Sequence, residues 1–182
     1  MKFKEVDIEG LVVIEPKVFA DDRGYFFESY NQKEFAENGI MEVFVQDNQS
    51  KSQKNVLRGL HFQKPPYAQA KLVRVVSGSV LDVAVDLRKG SSTYGKYHSE
   101  VLSAKNKKMF YMPAGFAHGF LTLEDDTIFS YKCSNGYHAK SEDSVLWNDR
   151  DLNIDWGIEN PILSDKDQLA AKFNEFNTPF KL

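Results

Sequence analysis

Val80-Leu81-Asp82-Val83-Ala84-Val85-Asp86-Leu87 alternates with a period of two, the signature of a strand. Leu81, Val83, Val85 and Leu87 share one pleat face, while Val80, Asp82, Ala84 and Asp86 share the other. The reading is one packed face and one face that carries carboxylates. Ser77-Gly78, just before it, reads as a tight turn, so Lys71–Val76 and Val80–Leu87 are expected to form a hairpin in which Lys71, Val73 and Val75 share a face. Working outward, further strands are predicted at Leu11–Ile14, Tyr25–Ser29, Val43–Gln46, Leu57–Gln63, His98–Leu102, Met109–Met112, Gly119–Leu123 and Ile128–Lys132. Helical periodicity is confined to Lys33–Glu37 and Lys166–Phe173, the latter with Asp165 as a candidate cap. No repeat or linker interrupts the chain, so residues 1–182 are expected to form one all-β domain. Its architecture is a β-sandwich or jelly roll with short flanking helices.

The composition of this 182-residue chain limits its function classes. Hydrophobic residues make up 42% and charged residues 27%, which places the chain among folded globular proteins rather than disordered ones. With 23 Lys plus Arg against 26 Asp plus Glu, the net charge of −3 argues against a nucleic-acid footprint, so an anionic ligand must be held by local cations. No apolar run is long enough to span a bilayer and the first residues lack the pattern of a signal peptide. The single cysteine, Cys133, cannot form an internal disulfide. A cytoplasmic protein without a membrane or nucleic-acid partner is expected.

Four histidines are present. His61, in Leu57-Arg58-Gly59-Leu60-His61-Phe62-Gln63, and His118, closing Pro113-Ala114-Gly115-Phe116-Ala117-His118, are the candidates for chemistry; the alternative is two hydrogen-bonded structural histidines. Residues 113–118 resemble the second signature of the cupin superfamily, a Pro-x-Gly-x-x-His turn that delivers a histidine into a small jelly-roll barrel. Metal-binding cupins supply a His-x-His pair in the first signature. Here Gln63 stands at the second position, so no catalytic metal is expected.

Six motifs in order extend the resemblance: Asp22–Glu28, Gln46–Ser50, Leu57–Gln63, Lys71–Val75, Gly78–Leu87 and Phe110–Phe120. Together they resemble the dTDP-4-dehydrorhamnose 3,5-epimerases, from about Val12 to about Asp167. The resemblance implies a cofactor-free isomerase of dTDP-L-rhamnose biosynthesis that inverts C3 and C5 of dTDP-4-dehydro-6-deoxy-D-glucose. Both centres flank the C4 ketone, so each inversion can run through an enolate. By resemblance, His61 is the base, Asp167 its orienting carboxylate, Tyr131 the acid on the opposite face and Lys71 the oxyanion stabiliser. Asp165 stays open as an alternative to Asp167, and strand parity suggests that Asp82 holds Lys71.

The same resemblance places Arg23, Glu28, Gln46, Asp47, Asn48, Arg58, His118, Glu142 and Lys166 around the nucleotide sugar, with Tyr137 stacked on the thymine. Arg23 and Arg58 are the candidates for phosphate, because a guanidinium fork matches its oxygens. Arg58 and His61 have opposite strand parity, and Gly59 between them is a candidate bulge. The family also implies a homodimer with exchanged N-terminal strands, in which Arg23 and Glu28 serve the partner's site. Competing readings are an epimerase of C3 or C5 alone, a ketoisomerase of a related sugar, a metal-dependent cupin oxygenase using His61 and His118, and a non-catalytic binding module.

Overall fold

A computed structural model describes residues 1–181 of the chain. In order, the strands are β1 (Lys2–Glu5), β2 (Val12–Glu15), β3 (Val18–Asp21), β4 (Gly24–Phe27), β5 (Gln46–Ser52), β6 (Leu57–Gln63), β7 (Lys71–Ser77), β8 (Ser79–Asp86), β9 (Tyr97–Ser103), β10 (Met109–Met112), β11 (Phe116–Thr122), β12 (Thr127–Cys133) and β13 (Glu142–Ser144). Two short helices, α1 (Gln32–Glu37) and α2 (Asp165–Gln168), and a 3-10 turn at Phe173–Glu175 complete the elements.

Six strands form one sheet in the order β1-β2-β10-β7-β12-β5, and five form a second in the order β13-β6-β11-β8-β9. Among the described residues, the β3–β4 hairpin pairs only with itself. Val73, Val75, Phe110, Met112 and Phe129 from the first sheet meet Val80, Ala84, Phe116 and Phe120 from the second. The Phe120 and Phe129 rings stack with centroids 4.1 Å apart. Each fully buried side chain of this size contributes roughly 1.5–3 kcal/mol. The outer face of the five-stranded sheet is covered by the C-terminal segment through Trp147, Leu152, Trp156 and Phe180. Phe35 of α1 packs against Ile14, Leu72 and Met109 on the outer face of the six-stranded sheet.

The expected all-β jelly roll with short flanking helices is the observed fold. The expected hairpin is not: β7 and β8 lie in different sheets, joined by Gly78 at a corner of the roll. Gly78 has φ +78°, and a Cβ there would stand 2.2 Å from the Thr127 hydroxyl, so the corner needs glycine for both reasons. Nor is the carboxylate face of β8 open to water. Asp82 and Asp86 are both 0% exposed, because that face looks into the space between the sheets. Asp86 is matched there by Arg88 at 2.8 Å and by the hydroxyls of Ser91 and Thr93 at 2.6 and 2.7 Å.

The parity conflict between Arg58 and His61 is resolved by a bulge. His118 pairs with His61 and Phe120 with Arg58, so two steps on β11 match three on β6. Leu57, Leu60 and Phe62 then pack outward, leaving Arg58 and His61 on the inner side. Gly59 has φ +146°, and a Cβ on it would come within 2.5 Å of Gly119 Cα. Gly59→Ala is therefore expected to destabilise the fold by about 1–3 kcal/mol, read as a drop of several degrees in Tm by thermal melting. An unchanged Tm would mean that the two strands can part at no cost.

Candidate active site

At one end of the roll, Gln46, Asn48, His61, Gln63, Gln69, Lys71, Tyr131, Cys133, Tyr137 and Glu142 surround a cavity of about 380 Å³. Lys71, Tyr131 and Cys133 come from adjacent strands β7 and β12 of the six-stranded sheet, His61 and Gln63 from β6 of the other. Two opposing walls thus present different chemistry. Lys71 and Cys133 are register partners, and alternation from Cys133 brings Tyr131 to the same face.

His61 Nε2 lies 2.5 Å from Asp167 Oδ1, although 106 residues separate them in sequence. Asp167 is only 2% exposed. It sits in α2, whose N-cap is Ser164 rather than Asp165: the Ser164 Oγ accepts from the Asp167 N–H and donates to its Oδ2 at 2.8 Å. Asp165, one turn position away, is exposed. Burial opposes ionisation of Asp167, but the bonds from His61 and Ser164 outweigh it and hold its carboxyl below the usual range.

Lys71 is 8% exposed and its Nζ reaches the His61 carbonyl at 3.4 Å. Burial pushes its ammonium below the ordinary lysine value, opposed by Cys133, Asp82 and Glu142. The expected Lys71–Asp82 contact is absent: Asp82 spends its oxygens on His118 Nε2, at 2.9 and 3.1 Å. Tyr131 is pushed up, foremost by burial and further by Cys133 and Glu142, while Arg58 pulls it down. The phenol consequently keeps its proton at neutral pH.

The rim is polar. Glu142 accepts from Lys166 at 2.5 Å and from the Tyr137 hydroxyl at 3.1 Å. Burial works against its charge, but these bonds leave its carboxyl lowered. Gln46 accepts from the Tyr137 N–H at 2.9 Å and donates to Asn48 at 3.0 Å. Arg58 donates to Ser52 Oγ at 3.2 Å beside the opening.

Seven expected site residues do not line the cavity of this chain: Asp167 backs His61, Lys166 bonds Glu142, Arg58 bonds Ser52, and four more lie elsewhere. Asp47 alternates away from Gln46 and Asn48 and pairs with Lys132 at 2.8 Å on the far side of the sheet. His118, 6% exposed, does not line the cavity; its bond to Asp82 makes it a buried support, and burial lowers its pKa. Arg23 forks onto Asp21 at 2.6 Å at the tip of the isolated hairpin, and Glu28 is exposed just after it. Sequence reading missed Gln63, Gln69 and Cys133 as wall residues. Parity with His61, Lys71 and Tyr131 marks Gln63 and Cys133, whereas Gln69 lies in a loop that no pattern marks. Among the described residues, no three His, Cys, Asp or Glu side chains converge as a metal site would require.

The chain is thus a cupin-like jelly roll whose cavity sets a histidine, backed by a carboxylate, opposite a buried ammonium and phenol. The profile of the dTDP-4-dehydrorhamnose 3,5-epimerase family matches residues 5–175, and the chain belongs to that family of isomerases. The dTDP-4-dehydrorhamnose 3,5-epimerase of Shigella flexneri is 53% identical over 174 residues, covering 95% of this chain and 96% of that protein. The crystal structure of the enzyme from Elizabethkingia anophelis NUHP1 superposes with a TM-score of 0.92 at 54% identity, covering 96% and 97% of the two chains. A Legionella pneumophila epimerase, solved in complex with dTDP-4-keto-L-rhamnose, gives a TM-score of 0.93 at 46% identity, with coverage of 97% and 94%.

Proposed function

We propose that this chain converts dTDP-4-dehydro-6-deoxy-D-glucose to dTDP-4-dehydro-β-L-rhamnose in dTDP-L-rhamnose biosynthesis, through an enolate at each of C3 and C5. The observation that carries the reading is the placement of His61 and Tyr131 on facing sheets across one cavity. Inversion needs a base on one face of the sugar and an acid on the other, and opposing walls supply both.

His61 takes the α-proton, with Asp167 fixing its tautomer and balancing the imidazolium that forms. The electron pair moves to the C4 oxygen, where Lys71 stabilises the enolate. A preorganised donor in a water-poor site is worth roughly 3–4 kcal/mol to such a transition state. Tyr131 returns a proton from the other side, and its phenolate and the imidazolium reset by exchange with solvent. No redox step enters, since electrons only shift between C–H, C=C and C=O bonds.

Gln46, Asn48, Arg58, Glu142 and Lys166 hold the nucleotide sugar at the rim, and the ring of Tyr137 stacks on thymine, a contact worth about 1–3 kcal/mol. The unpaired β3–β4 hairpin exposes Val18, Phe19, Tyr25 and Phe26, which supports its exchange between two copies of the chain, with Arg23 and Glu28 completing the partner's site. The chain works as one domain, and its lone buried Cys133 fits the reducing cytoplasm.

The test is incubation with the ketosugar in D2O without added metal, followed by NMR and trapping with a downstream reductase. Deuterium at both C3 and C5 is expected, together with dTDP-L-rhamnose. Label at one carbon would mean a single-centre epimerase, and label at neither would end the enolate reading.

A further inference from the structure

Tyr137 belongs to no strand and is 60% exposed, so packing alone does not fix its ring. Its position depends on the bond from its hydroxyl to Glu142 and on what holds the backbone around it. Gln63, 4% exposed at the end of β6, hydrogen-bonds both of its chain neighbours. The Gln63 amide donates to the Gly136 carbonyl at 3.1 Å and accepts from the His138 N–H at 2.7 Å. Its second amide hydrogen goes to the Tyr67 carbonyl at 2.7 Å, tying in the loop whose Tyr67 ring stacks on His138 at 3.8 Å. One side chain thereby uses both hydrogens and its oxygen to join two loops of the cavity rim.

We infer that Gln63 is a positioning residue for nucleotide recognition, setting the Gly136–His138 backbone so that the rim is built before the ligand arrives. A preformed rim loses less freedom on binding, so Gln63 acts on affinity. Gln63 lines the cavity but hydrogen-bonds none of His61, Asp167, Lys71 and Tyr131, so its main effect falls on binding rather than on proton transfer. Gln69 donates to the Asn135 carbonyl at 2.7 Å and so steadies the loop one residue earlier, but does not reach the residues flanking Tyr137. The inference rests on the rim being the nucleotide site.

The experiment uses the full-length enzyme, with dTDP as probe in titration calorimetry and steady-state kinetics on the ketosugar. Gln63→Glu keeps the shape and the acceptor for His138 but turns the donor to two carbonyls into an acceptor. Gln63→Met keeps the length and removes every bond. Either variant, with Tm checked, is expected to raise Kd for dTDP and KM by about ten-fold or more, as loss of buried hydrogen bonds would. Because Gln63 also lines the cavity, kcat is expected to fall too, but by less than Kd rises. A folded variant with unchanged Kd, or one that loses kcat with Kd unchanged, overturns the inference.

Hydrogen exchange on the unaltered, ligand-free enzyme decides independently if neither variant folds. The His138 amide is expected to be protected, whereas exchange as fast as an open loop would overturn the inference. Tyr137→Leu separates the two readings. If it leaves Kd unchanged while Gln63→Glu weakens it, the stacking role falls and the Gln63 role stands.

Discussion

His61→Asn is expected to lower kcat by about 10⁴-fold and to abolish deuterium incorporation at both C3 and C5. The size follows from removing the proposed base, since general acid–base catalysis alone accounts for about 10²–10⁴ and the Glu142 carboxylate nearby is engaged by Lys166 and Tyr137. Asparagine is the informative replacement, because it fills part of the ring's space and can still hydrogen-bond Asp167. It has no basic nitrogen. His61 is half-buried with its side chain 29% exposed, so the substitution should leave the melting temperature within a few degrees. Binding of dTDP should also survive, as the proposed nucleotide contacts lie on the rim. A variant that still exchanges solvent deuterium into either carbon would show that another base serves that centre.

Asp167→Asn is expected to lower kcat by about 10³-fold with KM changed only a few-fold. The carboxylate is not on the cavity wall; it stands behind His61 and takes one of its ring nitrogens. Replacing charge by a neutral amide removes the stabilisation of the imidazolium, and the amide N–H₂ can favour the wrong tautomer, as a neutral replacement does in hydrolase triads. Because the Asp167 carboxyl is lowered in the folded chain, it remains ionised through the neutral range. The sign for stability follows. A depressed folded pKa contributes stability above the unfolded carboxyl value, near 4, and that contribution is lost as pH falls through the folded value. The variant should therefore melt below the parent at pH 7, and the gap should narrow in acid. A loss of activity under ten-fold would leave Asp167 a structural cap and nothing more.

Strands with alternating apolar residues were legible in the chain alone. Leu57–Gln63 and Met109–Met112 match β6 and β10 end for end, and those around Val80 and Lys71 differ by a residue or so. The pattern failed where burial comes without apolar side chains. β5, Gln46-Asp47-Asn48-Gln49-Ser50-Lys51-Ser52, is polar throughout because one face looks into a polar cavity, so the expected strand fell early, on Val43–Gln46. β1 and β3 bury no side chain fully and β13 is only three residues long, so no apolar alternation marks them. The turn at Gly78 could not reveal whether it joined neighbours in a sheet or crossed between layers, since both use a positive φ. At the site, Lys71 and Tyr131 follow from parity once the sheet is known. The pairing of His61 with Asp167 does not, because it joins residues 106 apart in sequence and only the resemblance pointed to it.

The distance along the chain between these two partners has a consequence for how activity arises during synthesis. Both sheets have all their strands by Ser144, yet the carboxylate that completes the His61 pair arrives only with α2. A nascent chain can thus carry the base, the ammonium and the phenol while its proton-transfer pair is still missing. Epimerase activity becomes a report that the C-terminal segment has been made and has docked. A protease cut between β13 and α2 that freed this segment is expected to cost activity although it severs no strand of either sheet.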